Sequence, residues 1–210
     1  MTHTLSSLED VAQAVWAVPR RGLRRVVALS GPPASGKSTL AISLGRHLGA
    51  LGCNATIVPM DGFHLSNQAL VDRGLLDRKG APETFDVPGF LDLVSKFHDT
   101  AELLFPTFDR ARDVTVPESG TLAKSCDTVI VEGNYLLFDA PLWRDLPGFW
   151  DISVALDVSP EVLRRRLVDR WLRHGLSQEK AEQRAEGNDL RNARMIANAQ
   201  LPSDVVFVPT

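Results

Sequence analysis

Cysteine is scarce in this sequence: there are two in 210 residues, Cys53 and Cys126, far apart, with no CxxC spacing and no accompanying histidine pattern. That spacing offers neither a zinc-ligand set nor a disulfide framework, and both thiols are expected to be buried in a reducing compartment. An excess of charge of one sign is also missing. With 23 basic and 26 acidic side chains the net charge is -3, so there is no electrostatic invitation to nucleic acid or to an anionic membrane, and the expected partner is a small molecule. No apolar run approaches the length of a transmembrane helix, and no membrane insertion is expected. Residues 1–22 contain Glu9 and Asp10 and place Arg20 and Arg21 after the apolar positions, the reverse of a secretory signal, so the expected location is cytoplasmic. Internal repeats, low-complexity segments and linkers are absent too. With 44% hydrophobic residues the chain is expected to form a single domain over 1–210, and a homodimer is compatible with that reading.

What is present is organised around Gly31-Pro32-Pro33-Ala34-Ser35-Gly36-Lys37-Ser38, which follows the apolar run Val26-Val27-Ala28-Leu29 and precedes a helix-compatible stretch over 39–48. This is a phosphate-binding loop. Its four fixed positions would arise by chance in a chain this long on the order of one time in a hundred. Strand before and helix after strengthen the reading over that of an ordinary Gly/Ser/Pro turn. Gly31, Ala34, Ser35 and Gly36 supply backbone whose N–H groups turn inward to cradle phosphates, aided by the positive end of the following helix. Lys37 can reach the β- and γ-phosphates of a nucleoside triphosphate. The Ser38 hydroxyl is placed to ligate Mg²⁺, and Thr39 follows one residue into the helix.

Along the chain, Leu5, Leu8, Val11, Ala12, Val15 and Trp16 recur at helical spacing, giving a leading helix capped at Ser6 or Ser7 and ended near Pro19. Strands are expected over 25–30, 55–60, 128–131, 152–156 and 204–208. Pro88 starts a helix that continues through Phe97 to Leu103-Leu104, and 106–121 reads as irregular. From Pro160 a helix carries Leu163, Leu167 and Trp171 on one stripe and Arg166, Arg170 and Arg173 on another; Ser177 opens a long polar helix to about Ala199. Alternating strands and helices imply an α/β fold of three layers, α/β/α, with a mainly parallel sheet. The strand ends after Ser30, Met60 and Val131 then lie along one edge, where the phosphate loop meets Asp61 and Glu132.

Phosphate loops serve several chemistries. A GTPase would show an Asn-Lys-x-Asp segment after a strand, and none is present. A motor or transporter ATPase usually carries an aspartate followed by a glutamate at its second phosphate-site strand, whereas Glu132 stands alone before Gly133. A small-molecule kinase needs a metal site, a base, positive charge on the transferred group and a cover, and the chain offers a candidate for each.

In order after the loop come Asp61-Gly62-Phe63-His64, Phe85-Asp86, Phe108-Asp109-Arg110 and Val129-Ile130-Val131-Glu132-Gly133-Asn134-Tyr135. From about residue 24 onward the chain thereby resembles the P-loop kinases of the uridine kinase, phosphoribulokinase and bacterial pantothenate kinase group. Within that group, Arg78-Lys79-Gly80-Ala81-Pro82-Glu83-Thr84-Phe85-Asp86 and Glu132-Gly133-Asn134-Tyr135-Leu136-Leu137 are most similar to the nucleoside/nucleotide-kinase-like proteins named fructose transport system kinase. The resemblance implies that Asp61 orients the acceptor hydroxyl and accepts its proton, and that Glu132 holds the metal with Ser38. It makes His64, Lys79, Asp86, Asp109 and Arg110 acceptor-site candidates, and 160–176 a lid whose Arg166 and Arg170 meet the phosphates. The local readings stay beside these: Asp61 as a turn cap, Glu132 as a solvated strand end, His64 as a loop hydrogen-bonding group, the arginines as a solvated helix face. One departure is Asp169-Arg170, where uridine kinases commonly read Arg-Asp. The sequence thus points to an ATP- and Mg²⁺-dependent phosphotransferase acting on a hydroxyl of a sugar (fructose-like) or nucleoside. The alternatives are a nucleotide-binding regulatory or transport-coupling module and, more weakly, a nucleoside monophosphate kinase.

Overall fold

Every position of Val26-Val27-Ala28-Leu29 and of Val129-Ile130-Val131 is apolar, the pattern of strands covered on both faces. In the computed structural model of the chain, which describes residues 2–209, these runs are neighbouring central strands of one sheet. In chain order the elements are β1 (His3–Leu5), α1 (Leu8–Ala17), β2 (Arg25–Ser30), α2 (Lys37–Ala50), β3 (Ala55–Pro59), α3 (Asn67–Asp72), α4 (Val87–Ser95), β4 (Leu103–Asp109), β5 (Val114–Leu122), β6 (Thr128–Gly133), β7 (Ile152–Leu156), α5 (Pro160–Arg173), α6 (Gln178–Arg184), α7 (Arg191–Asn198) and β8 (Val205–Phe207). A π-helical segment, Ala185–Leu190, joins α6 to α7. Six strands pair in parallel in the order β1-β8-β7-β2-β6-β3, while β4 and β5 form a separate antiparallel hairpin.

Side chains of the central strands alternate between two cores, as the pleat requires. Val27, Leu29 and Ile130 pack with Val11 and Val15 of α1 and with Leu44 and Leu48 of α2. Val26, Ala28, Val129 and Val131 pack on the other face with Phe90 and Phe97. A third cluster, Leu163 and Leu167 against Ala181, Ala185 and Leu190, joins α5 to the C-terminal helices. The result is a three-layer α/β/α arrangement. Ser7, Ser159 and Ser177 cap α1, α5 and α6 by accepting from the backbone N–H three residues on, which fixes where each helix begins.

Four expectations need correction. The helix after Pro88 stops at Ser95, and Leu103-Leu104 belong to a strand: Phe105 is buried and Leu103 packs on the core, while Leu104 between them is exposed, a period of two. The stretch 106–121 is accordingly the greater part of a hairpin, with a register shift around Pro106, which has no N–H to give a ladder. β1 adds an edge strand, paired with β8, ahead of the leading helix. Cys126 is buried and donates to the Thr128 carbonyl, but Cys53 is only half-buried.

Two consecutive arginines at the start of β2 pin the sheet to both covering layers. Arg25 donates to the carbonyls of Val18 and Trp16 at the end of α1 (2.7 and 2.9 Å). Arg24, fully buried, donates to the carbonyls of Phe97, Thr100, Ala101 and Ala123, which flank the hairpin's two ends. No carboxylate is needed because four peptide dipoles solvate the guanidinium. Arg24→Leu leaves those acceptors short of a donor and is expected to lower stability by about 3 kcal/mol, read from the denaturant midpoint.

Candidate active site

The loop over 31–36 reverses the chain between β2 and α2 with two residues in left-handed conformation, Ala34 (φ +62°) and Gly36 (φ +99°). Such alternation turns successive N–H groups to one side and makes an anion nest. Lys37, the first residue of α2, is buried and donates through Nζ to the Pro32 carbonyl (3.0 Å) and to Asn134 Oδ1 (2.7 Å). Burial pushes its ammonium down to about 8, against the opposing pull of Glu132 and Asp61. Next to it the Ser38 hydroxyl donates to Glu132 Oε1 (3.0 Å) at the end of β6. Burial raises the Glu132 carboxyl above its ordinary value, partly offset by the charge of Lys37.

Asp61 follows β3 directly, in a 3-10 turn over Met60–Phe63. That turn sits against the hairpin, where a Cβ on Gly62 would lie 2.1 Å from the Pro106 carbonyl oxygen, so only glycine allows this approach. The hairpin's Arg110 forms an ion pair with Asp61. His64 donates through Nδ1 to the Asp61 carbonyl (2.9 Å), and its ring packs on Phe85 and Phe108 at centroid distances of 4.2 and 4.8 Å. Burial lowers its pKa, so the imidazole is neutral at pH 7.

α5 supplies the opposite wall. Arg166 donates to the carbonyls of Ala34 and Ser35 (3.3 and 3.0 Å) and so is tied to the loop. One turn on, Arg170 faces Asp189, whose charge opposes the lowering effect of burial on the guanidinium. Lys37, Ser38, Asp61, Glu132, Arg166 and Arg170 line one cleft of about 420 Å³, together with Ala34, Gly36 and Thr39. Gly31 and Ser35 lie behind this surface. A Cβ on Gly31 would come within 2.9 Å of Ser35 Oγ, a buried hydroxyl with no protein partner. His64, Arg110, Arg170 and Asp189 also line a second cavity of about 710 Å³, which contains Lys79 and opens onto the cleft through these shared residues.

Two acceptor-site candidates are not brought to either cavity. Asp86 is exposed and caps α4, accepting from the Gly89 N–H at 3.1 Å. Asp109 closes the hairpin turn by accepting from the N–H groups of Ala111 and Arg112 (3.0 and 3.1 Å). Both carboxylates are used locally, as short acidic side chains at turns often are. Other residues enter that carried no assigned role. Asn134, quoted within a motif but assigned nothing, holds Lys37. Asn188 and Asp189 project from the π-helical segment. Asn188 accepts from Arg78 Nη1 and donates to the Lys79 carbonyl, both at 2.8 Å, which ties the 77–80 loop to the C-terminal helices. Asp189 accepts from Trp171 Nε1 at 2.8 Å.

The family model described as an AAA domain matches residues 27–186. A "putative fructose transport system kinase" from Silicibacter sp. TM1040 has a crystal structure that superposes with a TM-score of 0.94 at 50% identity, covering 97% of this chain and 100% of that one. A "putative uridine kinase" of Schizosaccharomyces pombe is 34% identical over 215 residues, 97% of this chain and 91% of the relative. The Escherichia coli protein YggC is 36% identical over 185 residues, 87% of this chain and 73% of its own length.

Proposed function

The chain belongs to the AAA-domain family and, within it, to the P-loop small-molecule kinases that resemble uridine kinase, and from that premise we propose that it transfers the γ-phosphoryl group of ATP to a hydroxyl of a small metabolite, a sugar or a nucleoside. One observation carries the reading: the loop, the Ser38–Glu132 pair and Asp61 converge on a single cleft, with Asp61 ion-paired to Arg110, which also lines a second cavity.

The residues fit a magnesium nucleotide. The nest around Ala34 and Gly36, the orphaned Ser35 hydroxyl beneath it and a lysine held by neutral acceptors all suit an anion's arrival. Ser38 and Glu132 would hold Mg²⁺, which when bound screens the charge of the terminal phosphates. Lys37 then binds phosphate oxygens in place of its present acceptors. Asp61 orients the acceptor hydroxyl for in-line attack and takes its proton as the new oxygen–phosphorus bond forms and the bond to the bridging oxygen breaks, releasing ADP. Arg110 orients the Asp61 carboxylate through their ion pair. α5 and the turn after it act as the lid, with Arg170 meeting the transferred group.

The test is acceptor-dependent ADP release by the full chain with Mg-ATP over a panel of sugars, nucleosides, pantothenate and nucleoside monophosphates. Stimulation by at least one acceptor above the water-driven background is the expected result. ATP binding without stimulation by any of them would instead favour a nucleotide-binding regulatory or coupling module.

A further inference from the structure

The second cavity is lined by charged side chains and two aromatic rings, and how those groups are already engaged restricts what the cavity accepts. Both rings have protein partners. Phe108 has the His64 ring at 4.8 Å and the Lys79 ammonium at 5.0 Å. Trp171 has the Arg184 guanidinium at 5.2 Å and the His174 ring at 5.7 Å. A nucleobase is commonly gripped by stacking on an open aromatic face, whereas each of these rings already has a cation and an imidazole within 5.7 Å.

Three of the four cations are engaged as well. Lys79 pairs with Asp113 at 2.8 Å, Arg110 pairs with Asp61, and Arg184 lies over the Trp171 ring and donates to the Asp77 carbonyl at 3.4 Å. The fourth, Arg170, also lines the nucleotide cleft, where on the phosphotransferase reading it meets the transferred group. An acceptor carrying a phosphate or carboxylate at Lys79 or Arg110 would have to displace Asp113 or Asp61 and leave it facing the newcomer's charge.

At the end of the cavity reached through Lys79, three separate segments meet. Lys79 Nζ donates to Asn67 Oδ1 (2.6 Å) and to the Asp113 carbonyl (3.1 Å), and Asn67 Nδ2 donates to Asp113 Oδ2 (2.9 Å). The Asp113 side chain remains 55% exposed, so each carboxylate oxygen keeps a lone pair for a ligand after serving Lys79 and Asn67. Asp113 is also left-handed, at φ +55°, a conformation that L residues adopt at a cost and that clusters at ligand sites. Lys79 spends its three N–H groups on Asn67 and Asp113 and so fixes both, while the carboxylate's free lone pairs and the amide's second N–H present the mixed acceptors and donors that adjacent hydroxyl groups satisfy.

We infer that the acceptor is a neutral, non-aromatic polyol, a sugar or sugar alcohol, whose hydroxyls distal to the reacting one are held by Asn67 and Asp113, which Lys79 fixes in place. This rests on the phosphotransferase reading above for which hydroxyl reacts, but not for what binds. Asp113 and Asn67 are specificity-determining residues on this account.

Binding and turnover are therefore measured separately on the full chain. Calorimetry with Mg²⁺ and a non-hydrolysable ATP analogue is run against neutral hexoses, pentoses and sugar alcohols, and against nucleosides, sugar phosphates and pantothenate. A neutral polyol is expected to bind about tenfold or more tightly than any nucleoside or anionic acceptor. Asp113→Asn, near-isosteric and checked for the parental thermal midpoint, should weaken that binding by about tenfold, and Asn67→Ala should do likewise. In turnover, Asp113→Asn should raise the acceptor KM more than the KM for Mg-ATP. Preferred binding of a nucleoside or an anionic acceptor, no binding by any polyol, or polyol binding indifferent to both variants would each overturn the inference. Polyol binding that both variants weaken, without ADP release by the parent, would leave it standing and overturn the phosphotransferase reading instead.

Discussion

Asp61→Asn is expected to leave ATP affinity within about threefold and to lower acceptor-dependent turnover by about 10²- to 10⁴-fold, the range that a positioned general base supplies. The two halves of this expectation come from where Asp61 stands. It lies after β3, across the cleft from the Lys37 and Ser38 contacts, and shares its edge with the second cavity through His64 and Arg110. The nucleotide's binding contacts therefore survive the substitution. An asparagine keeps the shape and still accepts from Arg110, so the hairpin should stay in place. What is lost is the second basic oxygen that receives the hydroxyl proton, and a loss confined to kcat is the signature of an interaction used only in transfer. Isothermal titration with ATP beside steady-state ADP release separates the two quantities. Equal turnover by parent and variant would return Asp61 to a turn-capping role.

The parts of this site that were legible in the sequence are those where residue type and local geometry coincide. Glycine, lysine and serine at fixed spacing make the loop whatever surrounds it, and an all-apolar run ending in Glu132 leaves few options but a buried strand with a carboxylate at its tip. Legibility fails where a residue type has two uses. Asp86 and Asp109 follow phenylalanines in segments of the right order, yet each carboxylate closes a turn beside itself, and only the fold decides between capping and ligand contact. It fails again where periodicity breaks. Pro106 and the left-handed Glu118 interrupt the hairpin's alternation, so 106–121 offered no strand signal. The π-helical segment departs from the 3.6-residue period, and Asp189 on it lines the same cleft as Arg170, a placement that the period of the C-terminal helix gave no reason to expect.

Arg170 carries the second large effect. Arg166 and Arg170 sit one turn apart on the same face of α5, but they are differently engaged: Arg166 is bonded to the loop carbonyls, whereas Arg170 is steadied by the charge of Asp189. On the proposed reading Arg166 braces the nest before and after transfer, and Arg170 is the guanidinium available to charge that grows on the moving phosphoryl group. Arg170→Ala is accordingly expected to lower kcat by about 10²- to 10³-fold while changing the KM for ATP by less than about tenfold. Arg170→Lys, which keeps the charge but not the planar fork, should recover only part of the loss. Arg166→Ala should show the converse weighting, with ATP binding affected at least as much as turnover, because the loop's own geometry is what it supports. Measuring kcat and KM for these three variants beside the parent tests the division of labour directly. A kcat unchanged in Arg170→Ala would make that arginine part of a solvated helix face, and the catalytic charge would then have to come from Lys37 and the bound Mg²⁺.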